Sequence, residues 1–156
     1  MKLHLGVIEA PEIEPGETTY TVGKKLEETY GIFSMFYNTY EDFIADQIAQ
    51  DIARFGINVK NGVTPSNPFA ETGAEITQKM QDFINTREVE TVAGKYGEQG
   101  IPTQAALDGV TTRTKQGRKV AKARKGQKYV REATGVRRAS FVDSGIFVAS
   151  MTGWIS

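Results

Sequence analysis

Cationic side chains are concentrated in one part of the sequence, residues 113–138, which we call the basic stretch. Its cationic residues are Arg113, Lys115, Arg118, Lys119, Lys122, Arg124, Lys125, Lys128, Arg131, Arg137 and Arg138. Lysine and arginine bind phosphate and carboxylate oxygens, and cations at this density repel one another unless an anionic partner compensates. The basic stretch is therefore predicted to contact nucleic acid or an acidic protein surface. A solvated face without a partner is the third alternative.

The number of aromatic side chains in the basic stretch limits the kind of nucleic-acid contact that it can make. Tyr129 is its only aromatic residue, which is too little for a platform on which bases stack. Arg118, Lys122 and Lys125 would share one face if the segment were helical. The composition thus favours contact with the phosphate backbone, or with an acidic protein, over the reading of bases.

The acidic residues have the opposite distribution along the chain. Residues 1–112 carry 8 basic and 17 acidic side chains, a net charge of −9, whereas residues 113–156 carry 11 basic and 2 acidic side chains, a net charge of +9. The formal net charge of the whole chain is +0. A chain polarised in this way can attract nucleic acid at one end, or another copy of itself through opposite ends.

Side chains typical of catalysis and metal binding are sparse. His4 is the only histidine and the chain has no cysteine, so the usual serine, cysteine and zinc sites would all need His4. Glu27 with Glu28, and Glu41 with Asp42, are adjacent in sequence and diverge on a helix, which does not suit paired acid and base catalysis. We therefore predict a non-enzymatic protein without a cofactor or metal.

Two glycine patterns superficially resemble phosphate-binding loops. Gly94, Gly97 and Gly100 are not followed by the Gly-Lys-Ser/Thr ending of such a loop, and Gly23-Lys24 lacks the earlier glycine. A hinge or adaptable surface loop at residues 94–100 is the favoured interpretation.

Length and composition favour one folded domain. The chain has 156 residues, of which 39% are hydrophobic and 24% charged, close to the averages of globular proteins. The absence of cysteine fits a reducing compartment such as the cytoplasm. No apolar run reaches the length of a signal peptide or a membrane span, so we expect no membrane partner.

The clearest predicted element is an amphipathic helix. Its apolar positions recur at steps of three and four: Phe36, Tyr40, Phe43, Ile44, Ile48, Ile52 and Phe55. Asn38 with Glu41 has the form of a capping pair, and Gly56 suits the C-terminal end. A membrane-surface helix is the less favoured alternative because the polar face is acidic. We expect this stripe to lie in the core.

A second amphipathic helix is predicted after a loop at residues 58–67. Its apolar stripe consists of Ile76, Met80, Phe83 and Ile84. Pro68 suits the first turn, and Thr72 with Glu75 offers a capping pair. Upstream, residues 3–8 are predicted to form a strand, and residues 22–30 a short helix capped by Thr21 and ended by Gly31.

The remaining segments are shorter. Residues 88–93 alternate polar residues with valine and predict a short strand, and residues 103–107 predict a helical turn closed near Gly109. Residues 141–155 are apolar and either complete the core or bury in a neighbouring subunit. We divide the chain into an acidic core at 1–112, a basic arm or loop at 113–140, and a C-terminal apolar segment at 141–156.

The C-terminal segment carries a motif beyond its apolar character. Residues 137–150 contain Asp143-Ser144-Gly145, with apolar residues and then Ser150 after it. Asp143 can cap a turn and Gly145 permits tight backbone geometry. The run resembles an Asp-Thr/Ser-Gly pattern in small neck and tail-completion proteins of tailed bacteriophages, including tail-terminator-like families. Residues 100–107 and 6–11 also resemble segments of such virion proteins.

This resemblance implies a fold and a function. It implies an α+β subunit in which two main amphipathic helices pack on a small, mostly antiparallel sheet with the basic stretch as an extended arm. Such subunits form a homo-oligomeric ring at the head-to-tail joint or the tail end. The implied partners are the chain itself, other phage neck, portal or tail proteins, and double-stranded DNA in the channel. The implied location is the virion, after assembly in the host cytoplasm.

The charge distribution fits this expectation independently of the resemblance. Ring contacts join unlike faces of neighbouring subunits, and a chain of −9 against +9 offers two unlike surfaces. The alternative function is a nucleic-acid-binding or packaging accessory protein that uses the basic stretch on the phosphate backbone.

Overall fold

The computed structural model describes residues 1–12, 16–96, 100–107, 137–142 and 145–156. In chain order its elements are β1 (Leu3–Val7), α1 (Thr19–Tyr30), α2 (Ile32–Lys60), α3 (Ala70–Asn85), α4 (Glu88–Tyr96), α5 (Gln104–Leu107), α6 (Ile146–Ser150) and β2 (Met151–Ile155). Helices dominate, and the two strands form a small antiparallel sheet. The α+β expectation is confirmed.

The sheet joins the first strand to the last. β1 pairs with β2 in a register that places Leu3 opposite Ile155 and Val7 opposite Met151. The predicted strand at residues 3–8 is thus confirmed to within one residue. In the C-terminal segment, Phe147, Val148 and Met151 are buried within this same chain. These three side chains contribute to the core of the chain, while Trp154 of the same segment stays 45% exposed.

Helix α1 begins earlier than predicted. Its N-cap is Thr18, whose hydroxyl accepts a hydrogen bond from the Thr21 N–H, while the Thr21 hydroxyl accepts from the Thr18 N–H. The prediction of Thr21 as the cap is wrong by one turn, because Thr21 is the reciprocal partner in the capping box. Gly31 ends the helix in the left-handed conformation, with φ 60°, as predicted.

Helix α2 is longer than the apolar pattern indicated. It runs for 29 residues from Ile32 and bends at Tyr40, where φ is −119° and ψ is 19°. The predicted start at Asn38 and end at Gly56 are both wrong. The glycine that follows the helix in a left-handed conformation is Gly62, with φ 79°, whereas Gly56 lies inside the helix.

The apolar stripe of α2 is buried only along its first half. Phe36 and Ile44 are buried in the core as predicted, but Ile52 is 51% exposed. The residue that α2 buries at this level is instead Asp51, at 3% exposure. The C-terminal half of α2 extends past most of the core, so its apolar residues lack a full cover.

Helix α3 provides the centre of the core. Its predicted stripe is confirmed, since Ile76, Met80, Phe83 and Ile84 are all fully buried. The predicted capping pair of Thr72 and Glu75 is wrong because the helix starts at Ala70. The Thr72 N–H instead donates to the Asp51 carboxylate at 3.2 Å, so a side chain of α2 caps α3.

Residues 88–96 form helix α4, and the prediction of a strand at 88–93 is wrong. Val89, Val92 and Ala93 are buried and have the three- and four-residue spacing of one helical face. Gly94 lies in this helix rather than in a loop. The rest of the predicted glycine loop falls partly outside the described residues.

Helix α5 confirms the predicted turn at residues 103–107, while Gly109 lies outside the described residues. None of the helices in the described ranges has both the length and the apolar character that crossing a bilayer requires. Helices α4 and α5 lie beside residues 137–142, and together they form the candidate site.

Candidate partner-binding site at the base of the basic stretch

Most of the predicted interface residues fall outside the described ranges. These are Arg113, Lys115, Arg118, Lys119, Lys122, Arg124, Lys125, Lys128 and Arg131, together with Asp143 and Ser144 of the motif. Arg137, Arg138 and Gly145 are described. Their surroundings define the place on the folded body from which residues 108–136 leave and to which they return.

The two ends of that segment are joined by a backbone hydrogen bond. The Arg138 N–H donates to the Ala106 carbonyl oxygen at 3.1 Å. Ala106 belongs to α5 and is fully buried, so the contact is made on the core rather than at its margin. The predicted arm or loop at residues 113–140 lies outside the described residues except at positions 137–140.

A carboxylate of α4 fixes the returning end. The side chain of Glu90 is 6% exposed and accepts hydrogen bonds from the Ser140 N–H at 3.1 Å and the Ser140 hydroxyl at 2.8 Å. It also accepts from the guanidinium of Arg137. The Ser140 hydroxyl oxygen accepts from the Thr103 N–H at 3.2 Å, just before α5. Glu90 therefore links both flanks of residues 108–136 to the core.

Arg87, in the connection between α3 and α4, supports the same end. Its guanidinium donates to the Arg137 carbonyl at 2.9 Å. Arg87 has φ 66°, a conformation that costs free energy for a residue with a side chain. A neighbouring contact is made by Arg138, whose guanidinium donates to the Val142 carbonyl.

The two described arginines of the basic stretch thus bond within the chain. Arg137 pairs with Glu90, and Arg138 bonds to Ala106 and Val142. Both side chains stay partly accessible, so their predicted contact with a partner stays a prediction. Gly145 has φ 81° and precedes α6, which matches the tight backbone geometry expected at that position.

Sequence reasoning missed the residues that anchor the site. Glu90 and Ser140 are 50 residues apart, and no local pattern connects them. A signal for Glu90 is present only after α4 is known, because the residue then follows the buried Val89 on the helix that contacts residues 137–140.

Helix α2 carries two kinds of exposed residue. Glu41, Asp42 and Asp46 are exposed on the outer face of α2 and form an acidic surface. Four apolar residues are exposed near the end of the same helix and just after it: Ile52, Ile57, Val59 and Val63.

Within the described ranges, no cluster of histidine, aspartate or glutamate is arranged to hold a metal ion. His4 stacks on Trp154 with 5.0 Å between ring centroids, and its Nε2 lies 2.8 Å from the Ser156 hydroxyl. Comparisons with protein-family models, curated proteins and solved structures gave no match. The arrangement of the described residues can bind and orient a charged segment.

Proposed function

We propose that this chain is a structural virion protein of the phage neck or tail end, where copies of it form a ring. The observation that carries the proposal is the attachment of a strongly cationic segment to an oppositely charged body. Residues 108–136 carry 9 basic and 2 acidic side chains, whereas the described residues carry 10 basic and 14 acidic ones. Glu90 and Ala106 bond the residues that flank this segment, so both of its attachment points lie close together on the body.

A ring needs two unlike surfaces on each subunit, each fitting the other. The exposed carboxylates of Glu41, Asp42 and Asp46 on α2 offer an acidic surface for the basic stretch of the next copy. Opposite charges on the two faces raise the association rate and disfavour contacts between like faces. Charge complementarity thus supports contact from subunit to subunit.

The exposed apolar residues near the end of α2 favour protein contact over a purely electrostatic contact with DNA. Ile52, Ile57, Val59 and Val63 gain nothing from a phosphate backbone, but burial against another protein removes apolar area from water. Other neck, portal or tail proteins are the proposed further partners. Double-stranded DNA in the channel is a proposed neighbour of the basic stretch, with no membrane involved.

The oligomeric state of two matched variants tests the proposal. The first variant removes three charges from the basic stretch by replacing Arg118, Lys122 and Lys125 with Ala. The second, the body variant, removes three charges from the described part of the chain by replacing Lys24, Lys25 and Lys60 with Ala. Sedimentation velocity and particle imaging should show rings for the unchanged chain and the body variant, and smaller species for the first variant. A strict monomer of the unchanged chain at high concentration, with neck or tail partners added, would contradict the proposal.

The salt dependence of DNA binding distinguishes the ring protein from the alternative, a nucleic-acid-binding or packaging accessory protein. Binding of a labelled DNA duplex by such a protein falls steeply as salt rises, because each neutralised phosphate releases counterions. Fluorescence anisotropy over 50 to 300 mM salt, about the range in which this dependence is measured, gives the slope. Tight, steeply salt-dependent DNA binding by a monomer would favour the alternative.

A further inference from the structure

Strand β1 is paired along one of its two edges within the described ranges. The Lys2 N–H donates to the Ser156 carbonyl at 2.6 Å, and the Ser156 N–H donates back at 2.9 Å. The Ile8 N–H donates to the Ser150 carbonyl at 2.7 Å. Since hydrogen-bonded pairs alternate along an antiparallel ladder, the even-numbered residues of β1 direct their backbone groups toward β2.

The odd-numbered residues of β1 direct their backbone groups to the side opposite β2. The N–H and C=O groups of Leu3, Leu5 and Val7 therefore point away from β2. No hydrogen bond to these groups is made by any residue in the described part of the chain. All three residues are half-buried, with side chains packed against the core. β1 thus has a row of donors and acceptors along this edge that the described residues leave unpaired.

The outer edge of β2 differs because α3 covers it. The Gly153 N–H donates to the Thr77 hydroxyl at 2.9 Å. Gly73 of α3 lies so close that a Cβ atom on it would sit 3.0 Å from the Gly153 carbonyl oxygen. A strand cannot be added on that side, so β1 carries the open edge of this sheet.

We propose that β1 pairs with β1 of a second copy of the chain, in antiparallel orientation about a two-fold axis through Leu5. This register sets Leu5 opposite the partner's Leu5 and Leu3 opposite the partner's Val7. It uses every outward backbone group of the three residues, giving about six hydrogen bonds, because each hydrogen-bonded pair exchanges two. The result is a four-stranded sheet in the order β2, β1, β1, β2 with both cores on one face.

The flanking side chains fit this register. Lys2 falls opposite the partner's Ile8 on the face away from the core, and both residues are exposed, Ile8 by 64%. The aliphatic part of lysine can cover isoleucine while its ammonium group stays in water. The residues of β1 include no proline and no charge, the usual devices that prevent edge pairing.

This contact does not depend on the proposed ring function. The β1 contact joins like surfaces, whereas the ring contact joins unlike ones, and the two use different parts of the chain. Replacement of Arg118, Lys122 and Lys125 by Ala should leave the β1 dimer intact even where the ring is lost. Failure of one proposal is therefore distinguishable from failure of the other.

Disulfide trapping tests the register directly, since the natural chain has no cysteine. We mix the full-length variants Lys2→Cys and Ile8→Cys, whose Cα atoms would be about 4.5 Å apart across the dimer, within reach of a disulfide. A covalent dimer containing both variants should form within minutes under mild oxidation. Each variant alone, and Ile8→Cys mixed with Lys24→Cys, are the controls. Cross-linking no faster than in the controls would overturn the proposal.

Charge reversal gives a second, independent readout. Ile8→Lys places a like charge directly opposite the partner's Lys2, and Lys2→Glu combined with Ile8→Lys places opposite charges there. Ile8→Lys alone should raise the dimer Kd about tenfold in sedimentation equilibrium, and the double variant should restore it. Equal Kd values in the unchanged chain and both variants, or a monomer throughout, would exclude this register.

Discussion

The carboxylate of Glu90 joins helix α4 to residues that lie 47 and 50 positions further along the chain. A buried carboxylate is stable only when its oxygens accept hydrogen bonds, and Ser140 and Arg137 provide them. Removal of the carboxylate leaves the Ser140 N–H without its partner in the interior. The stability of the site therefore depends on this one side chain more than on the exposed arginine that pairs with it.

We expect Glu90→Ala to lower the free energy of unfolding by about 2 kcal/mol, the cost of unpaired buried groups. Urea denaturation followed by circular dichroism measures the change. Glu75→Ala, which removes an exposed carboxylate from α3, is the matched control and should change stability by less than about 0.5 kcal/mol. Equal effects of the two substitutions would show that the Glu90 contacts contribute nothing.

Tyr40 makes stability depend on alkaline pH. Burial, with a further contribution from nearby Glu88, raises the pKa of the Tyr40 phenol well above its ordinary value of 10.0. The folded state therefore holds the neutral phenol, while the unfolded state loses its proton as pH rises through about 10. The contribution of Tyr40 to stability is present below that pH and is lost above it.

Tyr40→Phe removes this ionisable group and should flatten the decline of stability at high pH. Urea denaturation of both proteins at pH 8, 9, 10 and 11 gives the comparison. The curves should converge as pH rises, because only the unchanged chain loses a proton from this position on unfolding. Parallel curves across the range would contradict the assignment.

At the residue scale, the sequence predicted buried apolar residues better than buried polar ones. Phe36, Met80 and Phe83 were predicted from spacing alone, because the period of a helix determines which side chains share a face. The burial of Asp51 and Glu90 was not predicted, because a carboxylate is buried only where another element brings hydrogen-bond donors to it. That condition depends on tertiary contacts and leaves no local signal.

At the element scale, α3 and β2 are in close contact, and this contact requires glycine. A Cβ atom on Gly153 would lie 2.5 Å from the Cγ2 of Ile76, and one on Gly73 would lie 3.0 Å from the Gly153 carbonyl. Neither position has room for a methyl group without a shift of the helix. A Cβ atom on Gly56, inside α2, would instead point into open space, with nothing within 4 Å.

We expect Gly153→Ala to lower the free energy of unfolding by about 2 kcal/mol, because an extra methyl group overpacks the interface. Gly56→Ala should raise it by about 0.5 to 1 kcal/mol, since alanine favours an exposed helix interior. Thermal and urea denaturation measure both. The test is that the two substitutions change the free energy of unfolding in opposite directions. A Gly153→Ala variant as stable as the unchanged chain would mean that α3 and β2 are less closely packed than these distances indicate.

Element boundaries and types were predicted unevenly. The sequence predicted Thr21 as the cap of α1, whereas the backbone geometry shows that Thr18 is the cap. Residues 88–93 alternate like a strand, yet Val89 and Val92 also fit one face of a helix. Over so short a segment the two periods are not distinguished, and packing on α2 and α3 selects the helix.

At the scale of the whole molecule, the sequence predicted the division of charge but not how the parts meet. The contrast between residues 1–112 and 113–156 is a property of composition and needs no fold. The hydrogen bond from Arg138 to Ala106, which brings the two ends of residues 108–136 together, depends on the placement of α5 and α4. A long-range closure of this kind follows from the tertiary structure alone.

This closure predicts that residues 108–136 can be removed without loss of the fold. We expect a variant in which a short Gly-Ser linker joins Leu107 to Arg137 to fold with unchanged or higher stability. The gain is limited to about 1 to 2 kcal/mol, because the cost of closing a loop falls slowly as the loop shortens. Circular dichroism and urea denaturation measure the result. An unfolded product would show that the removed residues belong to the core.

The same variant isolates the contribution of the cationic charge to assembly. Removal of 9 basic and 2 acidic side chains leaves 10 basic and 17 acidic ones, a net charge of −7, so copies of the body should repel one another. Sedimentation should then show loss of the ring. A companion variant, with residues 108–136 replaced by an uncharged Gly-Ser segment of equal length, keeps the chain length and removes the charge. If assembly requires the charge, both variants fail to form rings; if it requires only the tether, the companion variant assembles normally.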